Sequence, residues 1–188
     1  MRWIISLTIG ICLSACDSPP KCDKLFDGES LQGWRAVSDA NWRVEDGAIV
    51  VDSGERGLLV HEGTYENYEL EVEFRAAPGA NSGVFLSTTE KPASVTSDCY
   101  ELNIAPADNP FPTGSLVGRQ KCEEDVAAEK PEWRKFKATV EGSRVQIELD
   151  GAKILDYSAA APAGGNLIGL QKNEGWVAFR NIHVKRLR

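Results

Sequence analysis

Apolar and polar residues alternate most regularly between positions 68 and 75 of the chain. Every second side chain there is apolar, and the residues between them are three glutamates and an arginine. A period of two over this length is typical of a β-strand that buries one face. The apolar face consists of Tyr68, Leu70, Val72 and Phe74, and the polar face consists of Glu69, Glu71, Glu73 and Arg75.

A second apolar run, at positions 84–86, follows this strand after a Pro-Gly pair. Asn81, Ser82 and the glycine after them predict a polar turn, because Gly and Asn tolerate positive φ and because Ser and Asn bond to nearby backbone. The whole unit is therefore predicted to be a β-hairpin. Its corner would bring Arg75 close to Asn81 and Ser82, where these groups either bind a polar ligand such as a sugar or only shape the turn.

Short strands of the same kind continue along the chain. Residues 99–104 alternate again, and they place Glu101 and Asn103 together on the polar face of a strand. The other predicted elements are a tight hairpin at Asp46-Gly47, a three-stranded meander at 136–157, a last strand pair at 167–171 and 176–179, and a bulge near Arg180-Asn181.

Many short strands, turn residues every few positions and almost no helical periodicity predict an all-β protein. We expect an antiparallel β-sandwich of the jelly-roll type, formed by a single domain over residues 24–188. Polar ligands are commonly bound at the rim or on an open sheet face of such a fold.

Residues 105–131 form a long segment with four prolines and no regular pattern. A connection of this length inside a compact domain is usually functional, so an ordered functional loop is predicted. A disulfide between Cys99 and Cys122 would close this loop and contribute roughly 3 kcal/mol. Cys22 is left over, and it is either free or the partner of one of the other two.

The first residues predict export. Residues 1–15 combine a positive charge at Arg2 with a short apolar run, and the sequence Leu-Ser-Ala that precedes Cys16 resembles the lipobox of bacterial lipoproteins. This resemblance implies cleavage before Cys16 and acylation of that cysteine. Residues 16–23 would then be a tether, and the domain would be anchored in the cell envelope, on the periplasmic side or the outer surface, without a transmembrane helix.

The formal net charge of −7 makes nucleic acid an unfavourable partner. His61 and His183 are isolated from one another and from metal-ligand spacings, and no phosphate-binding loop occurs. No cofactor is therefore predicted. Scattered acids such as Asp27 and Asp39 leave a structural calcium possible on weak grounds.

Short motifs follow one another along residues 24–188: Leu25-Phe26-Asp27-Gly28, Gly33-Trp34, Glu45-Asp46-Gly47, Glu73-Phe74-Arg75, Asn81-Ser82-Gly83, Tyr100-Glu101, Thr113-Gly114, Trp133, Gly169-Leu170-Gln171 and Phe179-Arg180-Asn181-Ile182. In this order they resemble the 3-keto-disaccharide hydrolase domain family. This resemblance implies a concanavalin A-like jelly roll and cleavage of glycosides that are oxidised at C3.

The expected chemistry needs a base and hydrogen-bond donors. A ketone at C3 acidifies the C2 hydrogen, so a carboxylate can remove it and donors can stabilise the enolate that forms. Glu101 is the predicted base, and Arg75 is predicted to act with it. We expect the Glu101 carboxylate on the concave face, with Arg75 and Gln171 within about 8 Å of it. The predicted substrate-binding residues are Asn81, Ser82, Asn103, Gln171, Lys172 and Arg180.

Each of these residues also has a structural interpretation. Glu101 could be a solvated surface acid, and the two arginines could pair with glutamates on neighbouring strands. The sequence also departs from the family pattern, because Lys172-Asn173-Glu174 replaces a segment that often holds a histidine, and because Asn103 and Val117 replace a common glutamine and tyrosine. Lys172 or Glu174 could substitute for the histidine; alternatively, the protein is a non-catalytic carbohydrate-binding or structural lipoprotein.

Overall fold

The computed structural model of the protein describes residues 22–122 and 132–188. The predicted signal peptide, Cys16 and most of the tether lie outside these residues. Cys22 and Asp23, which were predicted to end the tether, are the first two residues of strand β1. In the part of the chain that is described, no helix is long and apolar enough to cross a membrane.

The described residues form short and medium β-strands. In chain order these are β1 (Cys22–Lys24), β2 (Trp34–Ala36), β3 (Arg43–Glu45), β4 (Ala48–Val51), β5 (Gly57–His61), β6 (Tyr68–Ala76), β7 (Asn81–Thr88), β8 (Tyr100–Ile104), β9 (Arg134–Glu141), β10 (Arg144–Leu149), β11 (Ala152–Ser158), β12 (Leu167–Glu174) and β13 (Val177–Arg186).

The strands pair into two antiparallel sheets. The eight-stranded sheet has the order β11-β10-β9-β6-β13-β4-β3, and β1 pairs with β13 beside this path. The five-stranded sheet has the order β2-β5-β12-β7-β8. The predicted all-β antiparallel sandwich of jelly-roll type is confirmed.

The core lies between the two sheets. In β6 the predicted apolar face is buried, with Tyr68 and Phe74 almost fully enclosed. Across the core, β7 and β8 contribute Val84, Leu86 and Leu102 to the same cluster. The alternation seen in the sequence therefore places every second residue of these strands outward, on the open face of its sheet.

The predicted hairpin between β6 and β7 is wrong. The two strands belong to different sheets, and the chain crosses between them through a turn at 77–80, where Gly79 has a φ of 74° and Ala80 N donates to Ala77 O at 3.0 Å. Asn81 and Ser82 begin β7 and do not form the turn. The predicted last pair is wrong for the same reason, because β12 and β13 lie in different sheets.

Other local predictions are confirmed. Asp46 and Gly47 both have positive φ and join β3 to β4, as expected of a tight hairpin. β9, β10 and β11 form the predicted meander. The bulge in β13 lies where expected, with Asn181 at a φ of 49° and a register shift between Arg180 and His183.

The predicted Cys99–Cys122 disulfide is absent from the described residues. Cys99 packs with Leu58, Val60 and Phe85 on the outer face of the five-stranded sheet, whereas Cys122 belongs to the core cluster between the sheets. Cys99 precedes the inward-facing Tyr100, so the strand alternation turns its side chain away from the core.

Hydrogen bonds hold the described part of the long loop without that bridge. Thr113 Oγ1 donates to Ala105 O at 2.8 Å and accepts from Ala105 N at 3.0 Å. Further along, Ser115 Oγ accepts from Cys122 N at 3.0 Å. Buried side-chain to backbone bonds of this kind fix a loop over a core, because an unpaired buried group would be costly.

Candidate functional site

A cavity of about 490 Å³ opens on the outer face of the five-stranded sheet. Its apolar part is formed by Leu58, Phe85 and Val95, and its polar part includes Glu101 and Gln171. A volume of this size lies within the roughly 300–1,000 Å³ of pockets that enclose a small organic ligand. The cavity combines an apolar floor with few converging polar groups, which is the usual composition of a ligand site.

Glu101 lies on this face because its neighbours in β8 point the other way. Tyr100 and Leu102 are buried in the core, so Glu101 projects outward beside Phe85, its pairing partner on β7. The glutamate is only 7% exposed. Its Oε1 accepts a hydrogen bond of 3.0 Å from Gln171 Nε2. The pairing of β8 and β12 with β7 therefore brings together Glu101, the predicted base, and Gln171, a predicted ligand residue.

Gly83 lies beneath this contact. It is on β7 between the two partners and pairs with Asn103 on β8 and with Gln171 on β12. A Cβ at this position would stand 3.5 Å from Glu101 Cγ and 3.6 Å from Gln171 Oε1, which are ordinary contact distances, and 3.1 Å from the backbone oxygen of Leu102, which is tight. The glycine therefore lets β7 and β8 approach closely where the carboxylate and the amide meet.

Burial raises the pKa of the Glu101 carboxyl above its ordinary value, and the hydrogen bond from Gln171 opposes part of this rise. A neutral amide stabilises a carboxylate less than a cation does. The result is a carboxylate that is more basic than a solvated one, which suits proton abstraction.

Lys172 and Asn173 continue the wall of the cavity after Gln171. Lys172 is 5% exposed, and its Nζ donates to the backbone oxygen of Asn173 at 2.9 Å. Gln171 Oε1 and Asn173 Oδ1 are buried acceptors without a hydrogen-bond partner among the described residues. Buried acceptors of this kind normally receive a hydrogen bond from the protein or from ordered water.

Charged residues at the rim were missed by the sequence interpretation. Arg56 lines the cavity and bonds Glu174 at 2.6 Å, while Glu90 bonds Arg35 at 2.5 Å. Lys91 is an exposed cation beside them. No motif marks these loop positions. Phe85 could have been found, because the alternation in β7 places it on the face opposite Leu86.

Three predicted ligand residues on this sheet do not line the cavity. Ser82 is fully buried toward the core, and its Oγ donates to the backbone oxygen of Gln171 at 2.7 Å. Asn103 faces outward as predicted, but its Nδ2 donates to the Phe111 carbonyl and holds the long loop. Asn81 begins β7 opposite Glu174, away from the lining residues.

Arg75 and Arg180 lie on the other sheet, so the expected convergence with Glu101 is wrong for them. Arg75 projects from β6 on the far side of the sandwich and lies 5.1 Å from the ring centroids of both Trp133 and Trp176. Arg180 bonds Glu73 on the neighbouring strand, with Nε 2.7 Å from Oε2. The outward faces of the two sheets point in opposite directions, which separates both arginines from the cavity.

No group of three or more potential metal ligands occurs in residues 22–122 and 132–188. Asp27, considered above for calcium, caps a turn: its Oδ1 accepts from the backbone nitrogens of Glu29 and Ser30 at 2.8 Å each. These hydrogen bonds lower the pKa of Asp27 to about 2. The carboxylate is thus engaged by its own loop.

The fold and the cavity define a jelly-roll sandwich with a ligand site on one sheet face. The chain belongs to the 3-keto-alpha-glucoside-1,2-lyase-like domain family, whose sequence model matches residues 21–185. It is also 32% identical to a 3-keto-disaccharide hydrolase of Bacteroides thetaiotaomicron over an alignment of 78 residues. That alignment covers 35% of this chain and only 27% of the relative.

Solved structures share the architecture. A candidate glycosyl hydrolase from Parabacteroides distasonis superposes with a TM-score of 0.76 at 20% identity, covering 89% of this chain and 94% of that one. The carbohydrate-binding module CBM66 from Bacillus subtilis gives 0.65 at 15% identity, covering 81% and 95%. At these identities the likeness shows the fold alone.

Proposed function

We propose that the protein cleaves 3-keto-glycosides, with Glu101 as the general base. The observation that carries this proposal is the buried Glu101 carboxylate, held by Gln171 at one wall of a sugar-sized cavity. Family membership and the similarity to the 3-keto-disaccharide hydrolase of Bacteroides thetaiotaomicron support the same substrate class.

The reaction follows from the chemistry of the substrate. Glu101 takes the C2 proton, and the electrons of the C–H bond form an enolate with the C3 carbonyl. The enolate expels the aglycone oxygen from C1, and this oxygen takes up a proton as the C–O bond breaks. The elimination leaves an enone, and water then adds to the enone. Burial of Glu101 favours the first step, because it raises the pKa of the base toward that of the weak carbon acid.

The enolate oxygen needs a donor, and Arg75 lies on the wrong face to supply it. We assign this role to Lys172, which is among the lining residues and whose Nζ donates to the backbone oxygen of Asn173 at 2.9 Å. Because Lys172 pairs with the core-facing Ser82, its ammonium would have to turn around the end of β12 to reach the substrate. Gln171 Oε1 and Asn173 Oδ1, which have no hydrogen-bond partner among the described residues, would accept hydrogen bonds from sugar hydroxyls. Leu58 and Phe85 would pack against the C–H face of the ring.

Release of the second sugar from 3-keto-trehalose or 3-keto-sucrose tests the proposal. We expect release by the wild-type protein and a loss of at least about a hundredfold in Glu101→Gln, the lower end of what a positioned base contributes. Glu90→Gln, which removes an exposed acid at the rim of the same cavity, is the matched control and should keep most activity. Equal rates for the wild type and Glu101→Gln would refute the assignment of the base.

A second candidate is a carbohydrate-binding protein without turnover. It is favoured because Arg75 and Arg180 lie on the other sheet. Among the described cavity residues, Lys172 is then the buried cation. On this reading, unoxidised disaccharides or glucans bind in calorimetry, and 3-keto-sugars remain intact after long incubation. Release of aglycone that depends on Glu101 decides for the enzyme.

We also propose that Cys16 carries the lipid and anchors the domain in the cell envelope. The support is the signal-like sequence before it, since Cys16 lies outside the described residues. Labelled palmitate should be incorporated into the wild type and not into Cys16→Ser. Cys22→Ser, a change of the neighbouring exposed cysteine, is the control and should keep the label.

A further inference from the structure

The outer face of the eight-stranded sheet carries a second pocket, of about 260 Å³, on the opposite side of the molecule from Glu101. Its floor consists of Ala48, Val50 and Ala178, a small apolar cluster covered by Trp133 and Trp176. Small side chains between two indole rings leave a depression with aromatic walls. Such a depression is suited to the apolar face of a ligand ring.

One of the two arginines in this pocket has a structural role. Arg180 bonds Glu73, with Nε 2.7 Å from Oε2, and its guanidinium lies 4.1 Å from the ring centroid of Trp133. Its charge is neutralised and one of its donors is used. Stacking and pairing together account for this residue without a ligand.

Arg75 is different. Its guanidinium is half-buried between Trp133 and Trp176, and it makes no hydrogen bond or ion pair within the described chain. Stacking engages the face of a guanidinium and leaves the N–H groups in its plane open to solvent or to a ligand. Arg75 is thus an oriented fork of donors that lacks an acceptor.

We propose that this pocket binds a sugar acid, with the carboxylate of one hexuronate unit on Arg75. A carboxylate matches the guanidinium fork in two parallel hydrogen bonds. The nearby Glu45 is engaged by Arg43, with Oε1 2.5 Å from Nε, which leaves Asp46 at the rim to accept sugar hydroxyls. The volume is below that of pockets for larger ligands, so it suits one ring.

Tryptophan fluorescence during titration of the full-length protein tests this site, because two indoles line it. The probes are glucuronate, glucose and acetate. We expect glucuronate to bind at least about tenfold more tightly than glucose or acetate, since only glucuronate offers both the carboxylate and the ring. Arg75→Gln should lose about tenfold or more, and Trp176→Ala should also weaken binding.

Two controls separate this site from the rest of the molecule. Arg144→Gln removes another arginine of the same sheet, one paired with Asp156, and should leave the affinity unchanged. Glu101→Gln should also leave it unchanged, so this test is independent of the proposed cleavage. Equal affinities for glucose and glucuronate, or an Arg75→Gln variant that is folded by circular dichroism and binds glucuronate like the wild type, would overturn the proposal.

Discussion

Gln171 holds the Glu101 carboxylate with a neutral amide 3.0 Å away, and it reaches across β7 from a strand that is not adjacent to β8. The amide orients the carboxylate, but it stabilises the negative charge less than a lysine or arginine would. The site therefore fixes the position of the Glu101 carboxylate and leaves its pKa raised.

The pH dependence of activity should follow the ionisation of the Glu101 carboxyl. The base works when deprotonated, so the acid limb of kcat/KM should lie above the ordinary range of a glutamate, because burial raises this pKa. In Gln171→Leu the stabilising hydrogen bond is lost, and the acid limb should move further toward neutral pH. Gln146→Leu, which removes a surface glutamine bonded to Asp156, should leave the limb in place. A limb that moves to lower pH in Gln171→Leu would contradict the assignment.

The free energy of unfolding should also depend on the ionisation of Glu101. A carboxyl whose pKa is raised by folding contributes stability below its unfolded pKa, and this contribution is lost as the pH rises through the folded pKa. Glu101→Gln should therefore gain free energy of unfolding relative to the wild type as the pH rises from about 4 to 7, by about 1.4 kcal/mol for each unit of the rise in pKa. Urea denaturation at several pH values measures the difference, and a gap that stays constant with pH would exclude an elevated pKa.

Gly83→Ala should damage the site more than the fold. The new methyl group would stand 3.1 Å from the backbone oxygen of Leu102, so β8 must give way by a few tenths of an ångström. The Glu101 carboxylate, which β8 carries, would move with it. We expect a loss of about tenfold in kcat/KM, because small misplacements of a base are costly. Gly164→Ala, where the nearest atom would be Ser97 O at 3.4 Å, is the control. Unchanged kinetics in Gly83→Ala would mean that the amide contact is not needed.

The cysteines should differ in reactivity. Burial and the nearby charge of Glu101 raise the pKa of Cys99 to about 12, and this thiol is fully enclosed. Iodoacetamide at mildly alkaline pH should leave Cys99 unmodified in the folded protein and modify it in denaturant. Exposed Cys22 is the internal control and should react at once. Peptide mapping without reduction that finds Cys99 linked to another cysteine would overturn this prediction.

The sequence identified the strands well because burial of one face leaves a period of two. That period correctly placed Glu101 outward on β8 and Arg75 outward on β6. It could not tell which sheet each strand joins, because an outward residue has the same pattern in either sheet. The turn at 77–80 carries the chain between sheets, and this one crossing moved Arg75 to the far side of the molecule.

The cysteine pairing failed for a related reason. Cys99 and Cys122 are close enough in sequence to close a loop, but the alternation around Tyr100 sends Cys99 away from the core that holds Cys122. The cavity rim was also beyond prediction, because Arg56 and Lys91 lie in loops whose sequences carry no pattern. Gln171, by contrast, was found through the family resemblance, and the register of β12 with β7 places it beside Glu101.

Strand β1 has a consequence for how the domain would present itself to its surroundings. Since β1 pairs with β13 in the eight-stranded sheet, the chain enters the sandwich on the sheet that carries the Arg75 pocket. If Cys16 carries a lipid, the six residues from there to Cys22 would span at most about 20 Å, so the tether between lipid and domain would be short. So short a tether would keep the start of β1 close to the membrane surface. The Glu101 cavity lies on the other sheet, so it is not on the sheet to which the tether connects.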